Sequence, residues 1–181
     1  MKVLAFAASN SKKSINKQLL GYISSLMENA EVELLDINDY ELPLFSVDRE
    51  EDLGKPDLAK AFFKKIGDAD AVIISFAEHN GSYTAAYKNL FDWASRIDQK
   101  VFQSKPMVLL ATSPGPGGAK NVLASAVTSA PYFGGEVRAQ LSVPSFYDNF
   151  DSERGELTNE VLKGKLVEAV SALQSEVVEE S

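Results

Sequence analysis

The run Val3-Leu4-Ala5-Phe6-Ala7-Ala8 is apolar at every position and opens directly into Ser9-Asn10-Ser11-Lys12-Lys13-Ser14. A strand with one wet face alternates polar and apolar residues. A run with no polar residue reads as a strand buried on both faces, as in a parallel sheet packed between helices. Beyond the polar turn, Ile15, Leu19, Leu20, Ile23, Leu26 and Met27 recur at helical spacing, with Ser14 placed to cap the helix. Strand, polar turn and helix form the unit that the rest of the chain repeats.

Val32–Ile37 reads as a second strand. Asp39–Pro56 is polar, contains Pro43 and Pro56, and reads mostly as loop. Leu58, Phe62 and Ile66 mark one face of a second helix, and Ala71–Phe76 is a third buried strand. Ala85–Ile97 follows as a third helix, Pro106–Thr112 as a fourth strand, Lys120–Ser129 as a fourth helix and Glu136–Val143 as a fifth strand. Leu157–Leu173 is a last amphipathic helix with Val161, Leu162, Leu166 and Val170 inward, and Glu176–Ser181 is an acidic, fraying end. Five strands alternating with five helices predict an α/β fold in one domain, residues 1–175, with a parallel sheet covered on both faces.

Composition limits the chemistry. The 181 residues include no cysteine and one histidine, His79. Thiolate metal sites, iron–sulfur clusters held by cysteine, a cysteine nucleophile and multi-histidine metal sites are excluded, and no metal site is expected. Eighteen Lys and Arg against 26 Asp and Glu give a net charge of −8, which disfavours a general nucleic-acid binder. No apolar run approaches the ~18 residues of a membrane span, and Val3–Ala8 is too short for a signal segment. A cytoplasmic protein is the simplest expectation.

In open α/β sheets, ligands sit outside the carboxyl ends of the strands, where strand order reverses. Three turns fall at such ends. Ser9–Asn16 carries three serines, two asparagines and two lysines without an acid, and leads into a helix N-terminus. Free backbone N–H groups, hydroxyls and the positive helix end suit a phosphate; the plain alternative is a solvated turn with an ordinary cap. It is neither a Walker loop nor a G-x-G-x-x-G turn. In the second, Glu78-His79-Asn80-Gly81-Ser82-Tyr83-Thr84, Asn80-Gly81 favours a tight turn of positive φ, with a helix cap at Ser82 or Thr84. The third, Ser113-Pro114-Gly115-Pro116-Gly117-Gly118, is rigid and rich in exposed N–H groups. Together they suggest a ligand with a large flat face.

These turns resemble the motifs of the NAD(P)H-dependent FMN reductase family, which includes quinone, chromate and azo-dye reductases. Ala8-Ser9-Asn10-Ser11-Lys12-Lys13-Ser14-Ile15-Asn16 is similar to its G-S-x-R-x-x-S-x-N motif. Glu78, Asn80 and Ser82, continuing through Lys88, Asn89, Asp92 and Trp93, resemble its P-E-Y-N-x-S-x-P-x-x-x-K-N-x-x-D-W motif. Ser113, Gly115, Gly117 and Gly118 resemble its glycine-rich turn. The resemblance implies a flavodoxin-like three-layer sandwich with a five-stranded parallel sheet in the order 2-1-3-4-5. It implies FMN as cofactor, with NADPH or NADH as co-substrate. Ser9, Ser14 and Asn16 would hold the phosphate. Glu78, His79, Asn80, Gly81 and Ser82 would line the flavin ring, and Ser113, Gly115, Gly117 and Gly118 would complete its other edge. Ser11 stands where the family has arginine, with Lys12 or Lys13 as the substitute cation; Ala8 replaces glycine, His79 tyrosine and Thr84 proline, which implies a looser second loop.

The implied reaction is hydride transfer from NAD(P)H through flavin to FMN, a quinone or a similar small acceptor. The flavin carries the chemistry, so no catalytic protein residue is expected. The resemblance also implies a homodimer or homotetramer, with the third helix (Leu90, Phe91, Trp93) as candidate interface. Asp48-Arg49-Glu50-Glu51-Asp52 reads as a solvated loop, or as a lid near a neighbour's flavin. The competing readings are a flavodoxin-type electron carrier, a non-catalytic flavin-binding module, and a hydrolase that would rest on His79 and lacks a G-x-S-x-G elbow.

Overall fold

A computed structural model describes residues 1–174. β1 (Lys2–Ala8) lies inside a sheet of order β2-β1-β3-β4-β5. β2 (Glu31–Leu35), β3 (Ala71–Phe76), β4 (Pro106–Thr112) and β5 (Glu136–Val143) all run parallel to their neighbours. The helices are α1 (Ile15–Leu26), α2 (Val47–Leu53), α3 (Asp57–Asp68), α4 (Ala85–Ser95), α5 (Lys120–Ser129), α6 (Phe146–Asn149) and α7 (Glu160–Gln174). This is the flavodoxin-like order, and it places the reversal of strand order between β1 and β3.

The unbroken apolar run of β1 follows from its neighbours. Side chains alternate across a strand, and both faces of this sheet are covered. Leu4, Phe6 and Ala8, with Val72, Ile74 and Phe76 of β3, pack against Phe62 and Ile66 of α3, Tyr87 and Leu90 of α4 and Val122 of α5. Val3, Ala5 and Ala7, with Ala71 and Ile73, pack against Leu19 and Ile23 of α1 and Leu166 and Val170 of α7. The carboxyl ends of β1, β3 and β4 therefore open side by side.

Several expectations are corrected. Residues 39–56 are not mostly loop: Ile37–Tyr40 forms a 3-10 turn and Val47–Leu53 forms α2, capped by Ser46, whose Oγ accepts the Arg49 N–H at 3.1 Å. α2 buries no residue, so it carries no apolar periodicity to read. Its Glu50 accepts the Arg96 Nε–H on both carboxylate oxygens at 2.9 Å, so the acidic stretch is a helix fastened to the end of α4 rather than a free loop. In α3, Phe62 and Ile66 are buried as expected, but Ala59 rather than Leu58, which is 40% exposed, completes the inward face.

The last helix starts at Glu160, not Leu157, because Phe150–Asp151 and Glu156–Leu157 pair as a small antiparallel hairpin, β6 and β7. Val161 is 68% exposed, while Leu166 and Val170 face the core as expected. α4 ends at Ser95, before Ile97, and β2 at Leu35, before Ile37. The acidic end 176–181 lies outside the described residues.

Candidate functional site

The three turns meet in one cleft of about 260 Å³. The first turn contributes Ser9, Ser11, Lys13, Ser14, Ile15 and Asn16; the second Ala77, Glu78 and His79; the third Thr112, Ser113 and Pro114.

Ser14 caps α1 as the sequence predicts, its Oγ accepting the Lys17 N–H at 3.3 Å. Ser9 Oγ accepts the Ser11 N–H at 3.2 Å. Both serines are buried, and both hydroxyl oxygens already act as acceptors, so each hydroxyl proton remains to be donated. Asn16 is also buried; its Oδ1 accepts the Ser75 hydroxyl at 2.7 Å, which leaves its Nδ2 as the uncommitted end. Among the described residues, the N–H groups of Ser14, Ile15 and Asn16 donate to no protein acceptor, as is usual at a helix start.

The cleft floor is thus a set of donors, with Lys13 beside it. That set suits a phosphate, whose oxygens only accept, and the residues present fit the anionic end of FMN. The nearby Lys17 is otherwise engaged, with its ammonium 2.6 Å from Asp36. Partial burial pushes Asp36 up, but hydrogen bonds from Lys17 and Asn38 outweigh it and hold the carboxyl below its ordinary range.

The second turn is a closed two-residue loop. His79 N–H donates to Ser82 O at 3.0 Å and Ser82 N–H to His79 O at 3.1 Å, with Asn80 at φ 52° and Gly81 at φ 77°. Positive φ at both central positions is the reason for Asn-Gly there. The cap of α4 is Thr84, not Ser82. Thr84 is buried; its Oγ1 accepts the Tyr87 N–H at 3.3 Å and donates to Ala8 O at 3.0 Å. Against the expectation of a looser second loop stands one contact: threonine ties this loop to the end of β1 through a hydroxyl that proline lacks.

Glu78 also has a structural task, since its Oε1 accepts the Val122 N–H in the first turn of α5 at 3.0 Å. An acidic side chain on an orphan helix N–H is favourable both as a hydrogen bond and against the helix dipole.

The third turn is fastened from below. Ser145 N–H donates to Gly115 O at 2.9 Å and Phe146 N–H to Ser113 O at 3.0 Å. At Gly118 a Cβ would lie 2.2 Å from Ser142 Oγ and φ is 60°, so its glycine is explained by packing and backbone conformation within the protein. At Gly115 and Gly117 a Cβ would meet nothing within 4 Å, so no internal neighbour demands glycine there.

Lys12, Asn80, Gly81, Ser82, Gly115, Gly117 and Gly118 are not in the cleft wall, although each belongs to a turn that forms it. Ile15, Ala77, Thr112, Pro114 and Tyr147 are in the wall and were not singled out by sequence reasoning. Tyr147 comes from the segment after β5, where no motif marks it. The Lys88-Asn89-x-x-Asp92-Trp93 run does not touch the cleft. Lys88 pairs with Asp92 at 2.7 Å. Asn89 accepts the Phe45 N–H and donates to Leu42 O and Pro43 O, and Trp93 Nε1–H donates to Pro43 O at 2.7 Å. These side chains hold residues 42–45 against α4.

The family model for NADPH-dependent FMN reductase matches residues 1–148. A Burkholderia 2-hydroxy-1,4-benzoquinone reductase is 37% identical over 117 residues, which cover 64% of this chain and 62% of that protein. An NADPH:quinone oxidoreductase of Arabidopsis thaliana is 30% identical across 97% of this chain and 91% of its own length. Among solved structures, the flavoenzyme NAD(P)H:(acceptor) oxidoreductase FerB from Paracoccus denitrificans superposes with a TM-score of 0.78 at 26% identity, covering 96% of this chain and 97% of that one.

Proposed function

The chain belongs to the NADPH-dependent FMN reductase family, and from that premise we propose that its cleft holds FMN by the phosphate at Ser9–Asn16 and serves NAD(P)H-driven reduction of quinones or similar small acceptors. The family is one of oxidoreductases that use FMN with NAD(P)H as co-substrate. The observation that carries the proposal is the buried donor set: among the described residues, the hydroxyl protons of Ser9 and Ser14, the Asn16 Nδ2 and the helix-start N–H groups lack protein acceptors, at the turn where the family resemblance implies the phosphate.

FMN, when bound, would supply the redox chemistry between NAD(P)H and the acceptor. This chain's residues bind and orient. Ser9, Ser11, Ser14, Asn16 and Lys13 take the phosphate, with Lys13 as the cation where the family has arginine at position 11. Lys12 is an exposed second cation beside it. The turns of Glu78–Ser82 and Ser113–Gly118 would flank the flavin ring, the second turn being tied by the His79–Ser82 pair and by Glu78 on α5. No side chain needs to move a proton, in keeping with one histidine and no cysteine.

We read residues 1–175 as one FMN-binding unit acting in the cytoplasm; among the described residues no helix is long and apolar enough to cross a membrane. We also propose a homo-oligomer formed through α4 and α5. Supporting it is a groove of about 320 Å³ between these helices, lined by Tyr83, Tyr87, Phe91, Phe102 and Phe133, with Lys88 and Asp92 also in its wall. Leu90 and Trp93 are fully buried, so the surface offered to a second copy is Phe91 and Ser95 rather than the tryptophan.

The test is a visible spectrum of the FMN-reconstituted protein followed by NADPH. The proposal expects bound flavin, bleaching on NADPH, and reoxidation by a quinone. Bound flavin that NADPH does not bleach points to an electron carrier, and a folded protein that does not bind FMN ends the proposal.

A further inference from the structure

Tyr147 is an aromatic side chain that is 65% exposed and yet part of the cleft wall. Its neighbours explain why it stays there. Phe146 is fully buried and stacks on Phe150 at 4.6 Å between ring centroids. The Phe146 N–H is bonded to Ser113 O, and Ser145, at φ 46°, donates to Gly115 O. Asn149 Nδ2 donates back to Pro144 O at 2.9 Å. The backbone on the N-terminal side of Tyr147 is therefore riveted to the third turn, and its ring makes an edge contact with Phe146 at 5.5 Å between centroids. Burial in the core does not account for a large ring in this place.

We propose that Tyr147 is a binding residue for the cofactor: its ring face forms the outer wall of the cleft and packs against bound FMN beside the phosphate turn. This rests on the FMN reading above. A rigidly presented aromatic ring adds contact area with only two torsions to fix, so its ordering cost on binding is small. The ring, not the hydroxyl, carries the effect, because the donors for the phosphate already come from Ser9, Ser14 and Asn16.

The experiment is titration of the apo-protein with FMN, read by quenching of flavin fluorescence, for wild type, Tyr147→Ala, Tyr147→Phe and the control Tyr132→Ala. Tyr132 is 71% exposed and outside the cleft wall. The expected result is a Kd about tenfold higher for Tyr147→Ala, the size of one good aromatic contact. Tyr147→Phe and Tyr132→Ala stay near wild type, and all four melt at the same temperature. Wild-type affinity in Tyr147→Ala overturns the inference while leaving the FMN reading intact. Equal losses in Tyr147→Phe and Tyr147→Ala overturn the assignment to the ring. Failure of wild type to bind FMN overturns the FMN reading itself.

Discussion

The Ser75 hydroxyl donates to Asn16 Oδ1 at 2.7 Å, joining β3 to the first turn of α1 across 59 residues in the buried interior. This bond decides which end of the Asn16 amide is free, and so gives the turn proposed to hold the phosphate a donor where an acceptor would repel an anion. Ser75→Ala leaves the Asn16 carbonyl unpaired. It is expected to cost about 1–3 kcal/mol in urea unfolding and to weaken FMN binding, because the amide is then free to flip. Unchanged affinity in the variant would show that Asn16 does not depend on this bond.

Thr84 joins the second turn to β1 with one hydroxyl used twice. Thr84→Val keeps the shape and removes both bonds. Unfolding is expected to become easier by about 1–3 kcal/mol, and amide exchange in residues 78–83 to accelerate more than in α7. Equal acceleration in both regions would mean that Thr84 supports global stability only.

Tyr22 Oη is buried without a hydrogen-bond partner among the described residues, and burial pushes its pKa up. A hydroxyl buried in this way carries a desolvation cost with no return. Tyr22→Phe is therefore expected to raise stability, by about 1 kcal/mol in denaturant titration. A loss of stability would mean that the hydroxyl has a partner.

Asp36 has a carboxyl held below its ordinary value of 3.8 in the folded chain, by hydrogen bonds from Lys17 and Asn38 against the opposing effect of burial. A depressed folded value contributes stability above the unfolded pKa, and that contribution is lost as pH falls through the folded value. The wild type is expected to lose stability more steeply than Asp36→Asn below about pH 4. Parallel profiles would remove Asp36 from the acid response.

The sheet centre was legible because burial on both faces leaves a largely apolar run, and Ala71–Phe76 and Pro106–Thr112 occur where the sequence predicts them; the edge strand Glu136–Val143, also where expected, shows instead an alternation of polar and apolar residues. α2 was not legible, since a helix that buries nothing has no periodic face, and its cap Ser46 alone is a weak signal. The N-terminal turn was legible by composition, as an acid-free polar stretch in an acidic chain. Tyr147 was not: its place in the cleft depends on the Ser113–Phe146 and Gly115–Ser145 backbone bonds, which bring together segments with no sequence mark of their relation. The packing role of Gly118 and the helix-capping role of Glu78 were hidden in the same way, because their partners Ser142 and Val122 lie in other elements.

The central claim is that Ser9–Asn16 grips a phosphate. The most direct measurement compares the affinities of the apo-protein for FMN and for riboflavin, which differ only in that group, in wild type and in Ser9→Ala. The account predicts that wild type binds FMN at least about tenfold more tightly than riboflavin, and that Ser9→Ala narrows the gap by weakening FMN alone. Equal affinity for the two flavins in wild type would contradict it.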